Sequence, residues 1–260
     1  MVTLRETARI LQSAGCEDAA FDAKILHELA AGDAEKLAAL TEKRAARYPL
    51  QYLCGEWDFL DFTLKVGEGV LIPRADTEIV CETAIAAARK KSAPVVVDLC
   101  AGSGAIAIGI ARAVSSAQVT AVELSADALP YLRANVAALA PKIDVQAADI
   151  FAWNKTLGAE SVDVLVSNPP YITADEMRTL APELSCEPRM ALEAAQNGLA
   201  FYEHIAAAYR FAVRKQGSIV FEIGSTQGRA VSEILCRNGW HDVRVLPDYA
   251  GLSRVVAACK

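Results

Sequence analysis

Apolar side chains in the first 50 residues recur with the period of an α-helix. Leu4 and Leu11 lie on one face of the first predicted helix, and Thr3 with Glu6 has the spacing of a capping box at its start. Further apolar positions repeat at three and four residues up to about residue 48, and glycines interrupt the pattern. We therefore expect three or so short helices, which form a small helical domain over residues 1–50.

An alternation of apolar and polar positions replaces the helical pattern after Pro49. Trp57, Phe59 and Leu64 carry this alternation, which is typical of a short β-hairpin. We expect the hairpin to lie in a linker over residues 51–70 that acts as a hinge.

The remaining chain alternates between short β-branched runs and longer helical patterns. The predicted strands are 93–98, 117–123, 143–147, 161–167, 217–223, 242–246 and 253–259, and the predicted helices are 105–114, 126–139, 199–214 and 227–236. Strands that alternate with helices of this length indicate an α/β fold, with a parallel sheet covered on both faces. We assign this α/β domain to residues 71–260.

Composition and charge then narrow the class of protein. Of the 260 residues, 53% are hydrophobic and 22% are charged, which is enough apolar material for one large core or two modest ones. The formal net charge is −6, whereas a protein that binds phosphate backbones over a broad surface is expected to be basic. We expect no broad nucleic-acid binding, although contact through a small patch stays open.

The cysteines and the hydropathy pattern indicate a cytoplasmic protein. The seven cysteines are spread singly, without a CxxC spacing or a histidine at ligand distance, so neither a disulfide framework nor a metal site is predicted. No stretch approaches the roughly 20 apolar residues that a membrane span needs. We therefore expect reduced thiols and no membrane partner.

A glycine-containing turn after the first strand of the sheet is the first candidate for chemistry. The segment Asp98–Gly104 (DLCAGSG) leads from a predicted strand into a predicted helix, where glycines allow a tight turn and close approach of a ligand. Glu123 ends the next strand, at the position from which a carboxylate can hold both hydroxyls of a ribose. Together these features predict a nucleoside-cofactor site.

The sequence favours one kind of nucleoside cofactor over another. A pyrophosphate site needs GxGxxG or GxxxxGK[ST], but the residue three after Gly104 is Ala107, and no lysine follows. A cofactor with a sulfonium and an amino-acid tail fits better. We therefore predict S-adenosylmethionine.

The second candidate is the loop Asn168-Pro169-Pro170-Tyr171, directly after another predicted strand. Two prolines restrict the backbone and remove two N–H donors, so the loop is stiff. The Asn168 side chain and the Pro169 carbonyl can then accept both hydrogens of one NH₂ group, while Tyr171 stacks on the planar group that carries it. Such a loop indicates transfer of a methyl group to the nitrogen of an amide or an aromatic amine.

These residues resemble a known family. Asn168–Tyr171 is the NPPY motif of amino-group methyltransferases, and Leu71–Glu78 (LIPRADTE) is similar to a segment of the protein-(glutamine-N5) methyltransferases that modify peptide chain release factors. Shorter matches follow in the same order as in that family, among them Glu187-Pro188, Glu222–Gly224 with Gln227, and Gly251 with Arg254. Cys100 stands where the family usually has a glycine.

The resemblance implies a fold, an activity and a set of site residues. The fold would be a Rossmann-like, seven-stranded class I S-adenosylmethionine-dependent methyltransferase domain behind a helical domain that takes part in substrate recognition. The activity would be methylation of the glutamine in the Gly-Gly-Gln motif of class I release factors, by a protein that we expect to be a monomer.

The implied site residues follow the order of the chain. The resemblance places Arg74, Thr77 and Glu78 on the cofactor side of the cleft, Cys100, Ala101, Gly102, Ser103 and Gly104 along the methionine part, Glu123 at the ribose, Asp149 and Ile150 at the adenine, and Asn168, Pro169, Pro170 and Tyr171 at the substrate, with Asn168 also beside the cofactor. For Arg74 and Glu78, an exposed ion pair without function is the alternative.

Two other functions stay open at this stage. NPPY also occurs in methyltransferases that act on adenine or cytosine of nucleic acid, although the acidic balance argues against such a substrate. A non-catalytic module that binds S-adenosylmethionine is the other alternative. A module that only binds the cofactor does not need a site for an amino group, so the NPPY loop argues against this alternative.

Overall fold

A computed structural model describes residues 2–260, and its first part is helical as predicted. Thr3 caps the first helix through the expected capping box with Glu6. The helices pack around Leu11, Ala23 and Leu26, which are fully buried. Their bounds are α1 (Leu4–Ser13), α2 (Ala19–Ala30), α3 (Ala34–Ala45) and α4 (Leu50–Cys54).

The predicted hairpin consists of β1 (Glu56–Phe59) and β2 (Phe62–Lys65). Phe59 and Leu64 are buried in the main core of the sheet, whereas Trp57 contacts both that core and the core of the helices. The hairpin therefore connects the two cores by packing against them.

A seven-stranded sheet forms the rest of the protein. Its strands are β3 (Val95–Leu99), β4 (Gln118–Glu123), β5 (Asp144–Ala147), β6 (Val162–Ser167), β7 (Val213–Glu222), β8 (His241–Pro247) and β9 (Ser253–Cys259), in the spatial order β5-β4-β3-β6-β7-β9-β8. The helices that follow the hairpin are α5 (Ala75–Ala88), α6 (Ala105–Ala113), α7 (Leu129–Leu139), α8 (Ile150–Trp153), α9 (Arg189–Leu192), α10 (Ala195–Gly198), α11 (Ala200–Ala208) and α12 (Gly228–Arg237). Short 3₁₀-helices occupy Asn154–Thr156, Glu176–Arg178 and Pro182–Cys186.

The expectation of an entirely parallel sheet is wrong at one strand. β9 lies between β7 and β8 and pairs antiparallel with both. The connection from β8 to β9 is a short turn over residues 248–252, and a turn of this length joins antiparallel strands, because a parallel crossover needs a dozen or more residues.

Two predicted helices are shorter than expected. The helix predicted over 199–214 ends at Ala208, because Val213 already pairs with Val162 of β6 and begins β7. The helix predicted over 126–139 begins only at Leu129, because the Ser125 hydroxyl oxygen accepts the backbone N–H of Ala128 and holds a turn there.

The sheet places four strand ends at one edge. β3, β4, β6 and β7 run parallel, so Leu99, Glu123, Ser167 and Glu222 all lie at the carboxyl ends of their strands. β3 and β6 are neighbours in the sheet but not in the chain, and the crevice at such a change of strand order is where open α/β sheets bind ligands. Within residues 2–260, no helix is both long and apolar enough to cross a membrane.

Buried ion pairs connect the helical region to the segment that follows β6. Arg44 donates to Asp22 at 2.7 Å and to Glu183 at 3.0 Å, and Arg47 donates to Glu183 at 2.6 Å. The side chains of Arg44 and Asp22 are only 8% and 5% exposed. Arg44 and Asp22 both belong to the helical region, whereas the contacts with Glu183 join residues more than a hundred positions apart in the chain.

We predict that Arg44→Met destabilises the protein by about 3 kcal/mol, because the substitution leaves the Asp22 carboxylate buried without its cation. Urea unfolding followed by circular dichroism measures the change. Arg229→Met is the matched control, since it removes only an exposed pair with Glu233 and should cost less than about 0.5 kcal/mol. Equal effects of the two variants would contradict a stabilising role for the buried pair.

Candidate cofactor and acceptor site

The larger of two adjoining cavities lies at the carboxyl ends of β3, β4 and β6 and measures about 190 Å³. Seven of the sequence-predicted site residues line it: Cys100, Gly102, Glu123, Asp149, Ile150, Asn168 and Pro170. The structure thus brings together residues from four separate strand ends, since Asp149 and Ile150 follow β5. Ala101, Ser103 and Gly104 belong to the same turn but do not line the cavity.

The turn after β3 depends on left-handed backbone conformations. Cys100, Gly102 and Gly104 have φ values of 61°, 56° and 89°. A Cβ on Gly102 would meet no atom within 4 Å, so this glycine leaves open space on the side of the cavity, whereas a Cβ on Gly104 would come within 2.7 Å of Leu132. Cys100 holds a conformation that glycine adopts without strain, which accounts for the glycine usual in the resembled family.

Glu123 joins two loops at the rim of the larger cavity. One carboxylate oxygen accepts the backbone N–H of Gly102 at 2.7 Å, and the other accepts the N–H of Ser125 at 2.7 Å. Each carboxylate oxygen has a further lone pair, so the group can also accept hydrogen bonds from two neighbouring hydroxyls. This arrangement fits a ribose.

Apolar side chains that the sequence reasoning missed complete the larger cavity. Leu124 and Phe151 follow directly after the predicted residues Glu123 and Ile150, so their neighbours in the chain could have indicated them. Phe201 and Met190 also line the cavity but come from distant segments, and no local pattern marks them. Flat apolar walls of this kind suit a purine base.

The smaller cavity measures about 70 Å³ and adjoins the larger one. Arg74, Tyr171 and Glu222 line it, and Asn168 lines both cavities. A methyl donor in the larger cavity and an acceptor in the smaller one would therefore meet at Asn168. Glu222 was known from the sequence only as part of a matching segment, with no role assigned.

The Asn168–Tyr171 loop is held from its far side. The backbone N–H of Tyr171 donates to the carbonyl of Leu192, and the Gln227 side-chain amide donates to the carbonyl of Tyr171 at 3.0 Å. Gly198 lies so close that a Cβ there would come within 2.2 Å of the same carbonyl oxygen. The stiffness predicted from the two prolines is thus supplemented by tertiary contacts.

Arg74, Thr77 and Glu78 do not line the larger cavity, so the structure does not bring them together there with the other residues expected beside the cofactor. Arg74 lines the smaller cavity and forms an ion pair with the buried Glu187, and Glu78 accepts the backbone N–H of Leu60 at 2.8 Å. Arg74 precedes α5, whereas Thr77 and Glu78 lie in its first turn. Because successive side chains of a helix point in different directions, these residues contact different parts of the protein. Because Arg74 pairs with Glu187 and not with Glu78, the alternative of an exposed Arg74–Glu78 pair is wrong.

Asp98, the first residue of the DLCAGSG segment, is buried behind the turn. One carboxylate oxygen accepts the backbone N–H of Ala107 in the first turn of α6 at 3.0 Å, and the other has no partner in the described structure. Burial raises the pKa of Asp98 to about 8. The described residues contain no group of three or more His, Cys, Asp or Glu side chains arranged to hold a metal ion.

Comparison with known proteins agrees with this fold. A family model described as "Methyltransferase small domain" matches residues 78–198. A methyltransferase from Pyrococcus furiosus has a similar structure with a TM-score of 0.56, at 15% identity, over 76% of this chain and 88% of that chain, which shows the likeness of fold alone.

Two curated relatives are similar over most of the sequence. The release factor glutamine methyltransferase of Fusobacterium nucleatum is 38% identical over 90% of this chain, which spans 66% of that relative's length. The release factor glutamine methyltransferase of Caulobacter vibrioides is 32% identical, with 96% of this chain and 92% of the relative covered. On this similarity, and with the NPPY loop at the junction of two cavities, the chain belongs to the release factor glutamine methyltransferase family.

Proposed function

We propose that this protein transfers a methyl group from S-adenosylmethionine to the side-chain amide nitrogen (N5) of the glutamine in the Gly-Gly-Gln motif of peptide chain release factors. The observation that carries the proposal is the position of Asn168, which lines both a cavity with the features of a nucleoside site and a smaller cavity beside it, where Arg74, Tyr171 and Glu222 supply polar groups. Membership of the family supports the choice of substrate.

The residues of the larger cavity fit S-adenosylmethionine, which when bound supplies a methyl group on a positively charged sulfur. The turn Cys100–Gly104 would hold the methionine part, and Glu123 would accept hydrogen bonds from the ribose hydroxyls. Asp149 and Ile150 would flank the adenine, together with the apolar Leu124 and Phe151.

The residues of the smaller cavity, together with the NPPY loop beside it, fit a primary amide. The nitrogen of an amide is a poor nucleophile, because its lone pair is delocalised into the carbonyl group. The Asn168 side-chain oxygen and the Pro169 carbonyl would accept its two N–H groups and orient the nitrogen toward the methyl donor. The ring of Tyr171 would stack on the amide plane, and Arg74 would lie at the entrance to this cavity instead of beside the cofactor.

A groove between the helical region and the sheet supports recognition of a protein substrate. Phe21 and Trp57 line it together with Arg44, and Arg74 and Leu184 border both this groove and the smaller cavity. Phe21 is 51% exposed, so its ring is accessible to a substrate bound in the groove. We propose that residues 1–50 form the recognition domain, residues 51–70 the linker and residues 71–260 the catalytic domain. Since release factors act in translation, the reaction would take place in the cytoplasm.

We predict that Glu123→Ala raises the dissociation constant for S-adenosylmethionine by about tenfold to a hundredfold, because it removes charged hydrogen-bond acceptors for the ribose and for Gly102. Isothermal titration calorimetry measures the constant directly. Glu82→Ala is the matched control, since Glu82 is exposed on α5 and lines neither cavity. Unchanged affinity in Glu123→Ala would place the ribose elsewhere.

We predict that the protein labels a purified release factor from radiolabelled S-adenosylmethionine, and that the label disappears when the glutamine of its Gly-Gly-Gln motif is changed to alanine.

In the same assay, Asn168→Ala should reduce turnover at least about a hundredfold while the cofactor still binds, because an acceptor that orients the amide is lost. Asn238→Ala, at the end of α12 and away from both cavities, is the control.

Each other outcome of this labelling experiment has a definite meaning. Label on unmethylated nucleic acid instead of the release factor would favour the alternative substrate, and label on neither would favour a module that only binds the cofactor. Full turnover in Asn168→Ala would contradict the role of the NPPY loop.

A further inference from the structure

The carboxylate of Glu222 lies buried beneath the Asn168–Tyr171 loop, at the end of β7. Only 2% of Glu222 is exposed. One of its oxygens accepts the hydroxyl of Thr77 at 2.6 Å, and the other accepts the hydroxyl of Tyr171 at 3.3 Å. This carboxylate is therefore connected both to Tyr171 in the NPPY loop and to Thr77 on α5.

Thr77 extends this connection to Asn168. The side-chain nitrogen of Asn168 lies 3.3 Å from the Thr77 hydroxyl oxygen and donates to it. A hydroxyl group has one proton, and an ionised carboxylate can only accept. Because Thr77 directs its proton to Glu222, its oxygen is left to accept from Asn168, and the hydrogen bonds run in one direction from Asn168 through Thr77 to Glu222.

The direction of these hydrogen bonds determines which end of the Asn168 amide is available to a ligand. With its NH₂ end bound to Thr77, the side chain has its oxygen as the one group that can accept a hydrogen bond, and Asn168 lines both cavities. Only the oxygen can accept an N–H of a substrate amide. If the Asn168 amide were reversed, its NH₂ group would face the NH₂ group of the substrate amide, and the substrate would not be oriented.

We propose that Glu222 is a positioning residue, which through Thr77 holds the oxygen of Asn168 toward the acceptor amide and through the Tyr171 hydroxyl holds the ring of Tyr171. The kinetic part of this inference rests on the proposed methyl transfer. The orientation of the side chains in the NPPY loop would then depend on the charge of Glu222, which lies outside this loop.

The charge on Glu222 changes within the range of ordinary assay conditions. Burial raises the pKa of Glu222 to about 7. The hydrogen bonds from Thr77 and Tyr171 and the positive charge of Arg254 on β9 lower this pKa, but burial has the larger effect. Asp76 on α5 adds a negative charge nearby, and the Tyr202 hydroxyl of α11 donates to the backbone carbonyl of Glu222. Below about pH 7 the protonated carboxyl can donate to Thr77, which removes the fixed direction of the hydrogen bonds.

We predict that Glu222→Gln lowers kcat by about tenfold to a hundredfold at pH 8, with the dissociation constant for S-adenosylmethionine changed less than twofold. The wild-type kcat should fall as the pH drops through about 7, and this acidic limb should be absent in Glu222→Gln, because glutamine does not titrate in this range. Steady-state assays on a release factor between pH 5.5 and 9 measure both effects.

Three further variants separate positioning from general stability. Asp163→Asn removes another buried carboxylate, at the start of β6 and away from both cavities, and should leave kcat unchanged. Thr77→Val, which lacks the hydroxyl, should resemble Glu222→Gln, whereas Thr77→Ser should recover most of the lost kcat. Full kcat in Glu222→Gln with the acidic limb retained would overturn the proposal.

A measurement without any substrate keeps the proposal separate from the proposed function. In the full-length protein, the side-chain NH₂ signals of Asn168 in nitrogen–proton NMR spectra, assigned by their loss in Asn168→Ala, should shift between pH 6 and pH 8. The same signals should not shift in Glu222→Gln. If the wild-type signals are also independent of pH, the connection through Thr77 is contradicted, even where methyl transfer to a release factor is observed.

Discussion

The parallel pairing of β3 with β4 and β6 is the constraint on which the site depends. Leu99 lies opposite Val122 on one side and Ser167 on the other, so the three strands end at one level. The Ser167 hydroxyl also donates to the carbonyl of Leu99 at 2.6 Å and joins the two central strand ends. A shift in register between these strands would separate Glu123 from the glycine turn and Asn168 from both.

Carboxylates at the ends of strands then orient the loops around this edge. Glu123 at the end of β4 accepts backbone N–H groups from two loops, and Glu222 at the end of β7 accepts hydroxyls from α5 and from the NPPY loop. Glu187 contributes in the same way, since its buried carboxylate accepts the backbone N–H of Ile72 and pairs with Arg74. A buried charge is stable only where such partners surround it, so each of these groups also restricts the backbone near it.

The segment between β6 and α11 links the catalytic edge to the helical region. Glu183 on this segment binds Arg44 and Arg47 of the helical region, and four positions later Glu187 binds Arg74, which borders the smaller cavity. Met190 of the same segment lines the larger cavity. A protein substrate bound in the groove would thus contact a segment that also forms the walls of both cavities.

The sequence by itself determined the α/β class, the helical start, the glycine turn with Glu123 and the NPPY loop, because each is encoded by residues close together in the chain. It did not indicate the antiparallel β9, the apolar walls formed by Phe201 and Met190, or the place of Arg74 and Glu78. Nor did it assign a role to Glu222, whose partners Thr77 and Tyr171 lie 145 and 51 positions away. These features were decided only by the tertiary structure, since strand pairing brings distant residues together and burial then changes the charge and hydrogen bonding of the groups it encloses.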